Sequence, residues 1–205
     1  MPTELSQEHL IYMNIGARYW DASRDKFNAQ QEATIRDYLQ DIEKKIHDGI
    51  GLYLWGDNNT GKSYIAAVLC KLVWAKYRVT SYCVTAAELK DAWISEHPAH
   101  PGSSELMTER VEEARFLVID DLGKEHRAAS GFAENKFGAL LRNRSRTGGK
   151  KTTIITANIP PDQFAGVYGK STAQLVKEHV FVLPVKGPDM REKEAEKIRK
   201  SMKRS

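Results

Sequence analysis

Cysteine is nearly absent from this 205-residue chain: there are two, Cys70 and Cys83. They form neither a Cys-x-x-Cys pair nor a Cys/His set, which excludes a disulfide scaffold and a zinc site and fits a reducing cytoplasm. No apolar run approaches the roughly 18 residues that a membrane span requires. The N-terminus, MPTELSQEHL, lacks the basic flank and apolar stretch of a secretory signal. Nor is there a large excess of one charge: 31 basic against 27 acidic residues leave a net +4, which permits nucleic-acid binding without demanding it. Internal repeats and low-complexity blocks are also missing. Hydrophobic residues make up 41% of the chain and run along its whole length, so the sequence folds, and 205 residues are enough for one domain.

The hydrophobic periodicity alternates between two kinds of segment. Ile35, Leu39, Ile42 and Ile46 recur at helical spacing, which predicts one amphipathic helix over 29–47, closed by Asp48-Gly49. Short apolar runs at 50–55, 79–84, 116–119, 152–156 and 180–183 read as strands. Helices are expected over 63–77, 86–96, 105–113 and 132–146, with a loop over 97–104 where two prolines and a glycine fall, and a charged helix or tail over 190–203. Strands that are apolar throughout, alternating with helices, indicate a parallel sheet covered on both faces.

Between the first strand and the next helix lies Gly56-Asp57-Asn58-Asn59-Thr60-Gly61-Lys62-Ser63, followed by Tyr64. This is G-x-x-x-x-G-K-[ST] in its expected strand-to-helix setting. The glycines let backbone N–H groups turn inward around an anion, and the helix beginning near Lys62 adds its positive end. Lys62 reaches β and γ phosphates and Ser63 offers a hydroxyl to Mg²⁺, so ATP with Mg²⁺ is the expected ligand. About sixty residues on, Phe116-Leu117-Val118-Ile119 ends in Asp120-Asp121. Asp120, at the carboxyl edge of a parallel sheet, is the candidate Mg²⁺ holder, and Asp121 the group that orients or deprotonates the attacking water. A further strand ends at Asn158, a candidate to hold the water or sense the γ-phosphate, although Asn also suits the start of a loop.

Arg142, Arg144, Arg146, Lys150 and Lys151 form a basic cluster with no acidic side chain among them. One of the arginines could stabilise phosphoryl-transfer charge in a neighbouring subunit, and the others could contact DNA phosphates. A solvated helix end would carry the same charges. The four tryptophans read as core or interface residues, Tyr19 and Trp20 are candidates to pack near an adenine, and His97 and His100 lack the spacing of metal ligands.

Taken together, "RYWDASRDKF" (18–27), "GDNNTGKS", "LVIDDLGKE" (117–125), "TIITAN" (153–158) and "VLPVKGPDMR" (182–191) resemble the DnaC/IstB-like group of AAA+ ATPases, from about residue 14 to 191. The resemblance implies an α/β P-loop NTPase of the AAA+ kind, with a five-stranded parallel sheet. Residues 1–28 would be an N-terminal extension with the first family motif, 29–191 the ATPase domain and 192–205 a charged tail. It further implies self-association through the nucleotide site, completed by an arginine of the next subunit, with Arg146 favoured and Arg144 second. The role implied is loading a replicative helicase of the DnaB type onto DNA, with single strands as the expected DNA, or helping a transposase on duplex DNA. Two departures stand out. Where members carry a second nucleotide-sensing arginine, this chain has Ser171-Thr172-Ala173-Gln174-Leu175-Val176-Lys177, with Gln174 at the matching position and Lys177 as a substitute; a weakly hydrolysing, nucleotide-gated adaptor is the corresponding alternative. Only about fifteen residues precede the matching region, where members have a partner-binding domain; a minimal member, or partner binding through another surface, is expected.

Overall fold

A computed structural model of the chain describes residues 5–95, 103–123, 131–146 and 151–187. Ser6 caps the first helix, α1 (Gln7–Tyr12), through a reciprocal box with His9, and two short 3₁₀ turns follow at Ala17–Tyr19 and Arg24–Lys26. Asn28 and Gln31 form a second capping box at the start of α2 (Ala29–Gln40). The single helix expected over 29–47 is broken at Asp41 (φ −124°, ψ 37°), and α3 (Ile42–Asp48) resumes beyond it. At the break, Lys45 Nζ donates to the carbonyls of Asp37 (2.8 Å) and Tyr38 (3.3 Å), capping acceptors that the end of α2 leaves open. Gly49, at φ 71°, then ends α3 in the left-handed conformation.

The remaining elements alternate: β1 (Gly51–Trp55), α4 (Lys62–Tyr77), β2 (Ser81–Thr85), α5 (Ala86–Ser95), α6 (Ser103–Glu113), β3 (Phe116–Leu122), α7 (Phe132–Arg146), β4 (Thr152–Ala157), α8 (Phe164–Tyr168), α9 (Lys170–His179) and β5 (Val180–Pro184). The helix expected from 105 begins earlier, at Ser103. Positions 97–102 of the expected loop, Lys150 of the basic cluster and the charged segment 190–203 lie outside the described residues.

All four strand pairings are parallel, in the order β2-β3-β4-β1-β5. The inner strands β1, β3 and β4 are largely apolar because both of their faces are covered, whereas the edge strand β5 leaves Phe181 and Val182 exposed. Leu52, Leu54, Phe116 and Val118 face a cluster with α1 to α4, while Tyr53, Leu117 and Ile119 face one with α5 to α9. Leu10, Met13 and Ile15 belong to the first cluster, so residues 5–28 pack into the ATPase-like core and complete one of its faces. β1 can pair closely with β4 because Gly51 has no side chain: a Cβ there would stand 1.8 Å from the Thr153 carbonyl oxygen. A parallel sheet puts all carboxyl ends on one edge, so the loops after β1, β3 and β4 gather there.

Candidate active site

Residues 56–61 leave β1 and close on themselves. Gly56 (φ 149°), Asn59 (φ 60°) and Gly61 (φ 98°) adopt positive φ, and a Cβ on Gly56 would lie 2.4 Å from the Val185 carbonyl oxygen. Flanking strands fix the loop: Gly56 N donates to the Ala157 carbonyl (3.3 Å) and Val185 N to that of Trp55 (2.7 Å). Within it, Thr60 Oγ1 donates to the Asp57 carbonyl at 3.0 Å. Lys62 is buried, and its Nζ donates to the carbonyls of Gly56 (2.9 Å) and Asp57 (2.6 Å), so the ammonium lies at the centre of the turn. The Gln31 amide nitrogen is packed against Gly61. Tyr64 turns its side chain away, exchanging hydrogen bonds with the backbone of Ser23 and packing on Phe27; only its backbone N–H belongs to the α4 N-terminus.

The acidic edge is built by a bulge. β3 pairs Ile119 with Ile155 and then Leu122 with Ala157, so Asp120 and Asp121 together oppose Thr156 alone. Asp121 takes a left-handed backbone (φ 58°), which aspartate tolerates better than most residues. Thr156 ties the two together: its Oγ1 accepts from Asp121 N (2.9 Å) and donates to Asp120 Oδ1 (2.5 Å). Burial, opposed by the nearby hydroxyls of Thr156 and Ser63, raises the Asp120 pKa above its ordinary value. A carboxylate whose charge is disfavoured by burial, next to a serine hydroxyl at a helix N-terminus, is a donor set that suits a hard divalent cation.

Asn158 reaches back from the end of β4, and its Nδ2 donates to Asn58 Oδ1 in the loop at 2.8 Å, while its own Oδ1 is buried without a partner. The structure therefore brings Asn58, Lys62, Ser63, Asp120, Asp121 and Asn158 to one edge. One expectation is corrected. Arg144 is not a candidate for a neighbour's phosphates: it is 3% exposed, and its guanidinium donates to Thr153 Oγ1 (3.0 Å) and to the carbonyls of Val111 (3.0 Å), Ala114 (2.9 Å) and Thr152 (2.9 Å). It fastens α7 to α6 and β4. Arg142 and Arg146 of the same helix are exposed. Tyr19 lines a cavity together with Ser63 and Asp120, and the Trp20 indole donates to the Ile15 carbonyl at 2.8 Å. Gln174 is exposed and donates to Glu178 at 2.9 Å, one turn along α9; Lys177 is exposed as well. Thr156 is the site residue that sequence reasoning missed. Thr156 lay within a quoted motif, but nothing in a run of β-branched residues marks one hydroxyl as a bridge.

The sheet order, the glycine loop before α4 and the acidic edge of β3 define the fold of a P-loop NTPase. Solved structures share this fold. The chain superposes on the DnaC helicase loader with a TM-score of 0.68 at 24% identity, over 83% of this chain and 100% of that one. It is similar to DnaI with a TM-score of 0.67 at 20% identity, over 85% and 96%. AMPPCP-bound DnaA from Aquifex aeolicus gives 0.60 at 13% identity, over 90% of this chain and 56% of that one. No protein-family model matches the sequence. No curated protein matches it either.

Proposed function

We propose that this protein is a Mg²⁺-dependent ATPase that acts in DNA replication by loading a replicative helicase onto DNA. The observation that carries the reading is the closed loop 56–61 around Lys62, with Ser63 and Asp120 lining one cavity beside it. The loop and α4 present N–H groups and an ammonium to a polyphosphate. Lys62 would meet the β and γ phosphates, and Ser63 and Asp120 would hold Mg²⁺, which would supply positive charge to the phosphates. Asp121 orients and deprotonates the attacking water, and Asn158, tied to Asn58, senses the γ-phosphate. Arg146, exposed at the end of α7, is the arginine offered to the next subunit's phosphates, so self-association completes the site. The likeness in fold to the DnaC helicase loader supports the helicase as partner, and the likeness to a replication initiator DnaA bound to AMPPCP and single-stranded DNA supports single-stranded DNA as the nucleic acid.

The test has two readings. ATP turnover is compared between the wild type and Asp121→Asn, with Lys62→Ala as the binding control. Equal turnover in wild type and Asp121→Asn would remove the catalytic assignment. Size-exclusion with light scattering on a mixture with the host's replicative helicase, with and without ATP, then tests the loader role. A stable co-complex supports it, and no complex from ATP-binding protein overturns it. In that case the weakly hydrolysing adaptor, favoured by Gln174 where related proteins carry an arginine, and the transposition helper are the remaining readings.

A further inference from the structure

The first turn of α2 abuts the end of the phosphate loop. Asn28 and Gln31 close a reciprocal box there: Gln31 N donates to Asn28 Oδ1 (2.9 Å), and Asn28 N donates to Gln31 Oε1 (3.0 Å). The second bond settles which end of the Gln31 amide is which, because a backbone N–H needs the oxygen. The Nε2 end is turned toward Gly61. A Cβ on Gly61 would stand 2.3 Å from Nε2 and 3.5 Å from Cδ, a difference close to the length of one C–N bond, about 1.33 Å, so the amide points at the loop nearly head-on. Gly61, at φ 98°, is the residue from which α4 starts. Among the described residues, and apart from its chain neighbours, only Gln31 comes within 4 Å of that Cβ position.

Gln31 is 2% exposed, and its Nε2 is buried without an acceptor among the described residues. Interior amide donors are normally paired, so an open one calls for a physical reason. The side chain cannot turn to find a partner without giving up the bond from Asn28 N, and the box holds it where it is. An acceptor must therefore come to the amide. The loop selects what that acceptor is. Lys62 Nζ lies at the centre of the turn, and the N–H groups at the start of α4 favour an anion. An anion with several oxygens, held against Gly61, brings acceptors to the donor that Gln31 presents.

Resting on the ATPase reading above, we propose that Gln31 is a further nucleotide-binding residue: its Nε2 donates to an oxygen of the polyphosphate that the loop holds. The capping box sets the donor in place before a ligand arrives, so little side-chain freedom is lost on binding. Because the bond goes to phosphate, Gln31 adds affinity and takes no part in choosing the base. It also ties the start of α2 to the occupied loop.

The experiment measures the affinity for ATP and for inorganic tripolyphosphate, in excess Mg²⁺, by displacement of a fluorescent ATP analogue. It compares wild type, Gln31→Met and Lys62→Ala, with ligand-free melts to confirm that each is folded. Methionine keeps the length of the side chain and removes both amide hydrogens. Gln31→Met should bind ATP and tripolyphosphate more weakly by the same factor, roughly ten- to a hundredfold, the range of a hydrogen bond to a charged group. Wild-type affinity in Gln31→Met overturns the inference and leaves the ATPase reading intact. A loss for ATP without one for tripolyphosphate also overturns it, since the donor would then serve the nucleoside. A wild type that binds neither ligand, like Lys62→Ala, overturns both readings. Should Gln31→Met not fold, Gln31→Glu carries the test, because it keeps the oxygen that accepts from Asn28 N. Its ATP affinity relative to wild type at the same pH should be low near about pH 8 and recover toward about pH 5, as the carboxyl gains a hydrogen to donate. A ratio that does not change with pH refutes the proposal.

Discussion

Replacing Arg144 by methionine tests the correction made at the basic cluster. The guanidinium makes four hydrogen bonds, three of them to carbonyls of α6, its following residue and β4. Methionine fills much of the volume and offers no donor, so three carbonyls and the Thr153 hydroxyl lose their partner in the interior. Hydrogen bonds to a charged group contribute roughly 1.5–3 kcal/mol each, but they are not additive, and removing the charge also removes its own desolvation penalty. The net expectation is the loss typical of stranding the partners of a buried charge, about 3–5 kcal/mol. For a chain of this length that lowers the melting temperature by roughly 6–20 °C. Arg144→Lys should recover little, because one ammonium cannot span four acceptors arranged for a planar fork. The assay is a thermal melt by circular dichroism, paired with nucleotide affinity per folded molecule at a temperature where both proteins are folded. Affinity should be unchanged, since Arg144 does not reach the site. A variant that melts within about 3 °C of the wild type, under roughly 1 kcal/mol, would refute the reasoning. So would one that keeps its stability and loses turnover.

Three other outcomes follow from the site. Burial raises the Asp120 pKa above its ordinary 3.8, so the folded state holds this proton more tightly than the unfolded chain, and stability from this group falls as pH rises above that value. Asp120→Asn should therefore melt no lower than wild type at neutral pH without nucleotide, with the difference closing as pH falls toward 4, while the Mg²⁺-dependent part of nucleotide affinity is lost; melts across pH and binding in Mg²⁺ and EDTA check both. Gly56→Ala places a Cβ 2.4 Å from the Val185 carbonyl at φ 149°, and should destabilise the chain by about 1–3 kcal/mol in denaturant titration and weaken nucleotide binding. Arg146→Ala and Lys62→Ala should each abolish turnover alone, yet a mixture should regain it, because a Lys62→Ala subunit still supplies its arginine to a neighbour; no recovery would argue against Arg146 acting in trans.

Much of this architecture is written in the residue pattern. Five apolar runs announce a parallel sheet, although the edge strand β5 leaves Phe181 and Val182 exposed, and residues 56–63 announce what the loop after β1 is for. What escaped the pattern depends on contacts between distant segments. The break at Asp41 is invisible to periodicity, since Ile35, Leu39, Ile42 and Ile46 keep helical spacing across it. Arg144 shares its helix and its charge with Arg142 and Arg146, and only the crossing of α7 with α6 and β4 decides that one is interior and two are exposed. Tyr19 lines one cavity with Asp120, on a segment that Asn14 and Lys71 pin, and neither contact has a local signature.

The bulge in β3 carries the largest consequence of this kind. In a regular strand two adjacent aspartates would point to opposite faces of the sheet. Here two residues oppose one, and the Thr156 hydroxyl both satisfies the Asp121 N–H and donates to Asp120. One side chain thus supports the left-handed turn and the charge of the neighbouring carboxylate. Thr156→Val keeps the shape and removes the hydroxyl. It leaves a buried-edge N–H without its acceptor and Asp120 with one donor fewer, so stability should fall by about 1–3 kcal/mol. The Asp120 pKa should rise further, because the bond that lowered it is gone. Metal-dependent nucleotide binding should then weaken and shift to higher pH, while binding in EDTA stays close to wild type. Thr156→Ser, which restores the hydroxyl, should restore both. If Thr156→Val matches the wild type in melts and in the pH dependence of Mg²⁺-supported binding, the hydroxyl is not what holds the two carboxylates at one edge, and the bulge stands on packing alone.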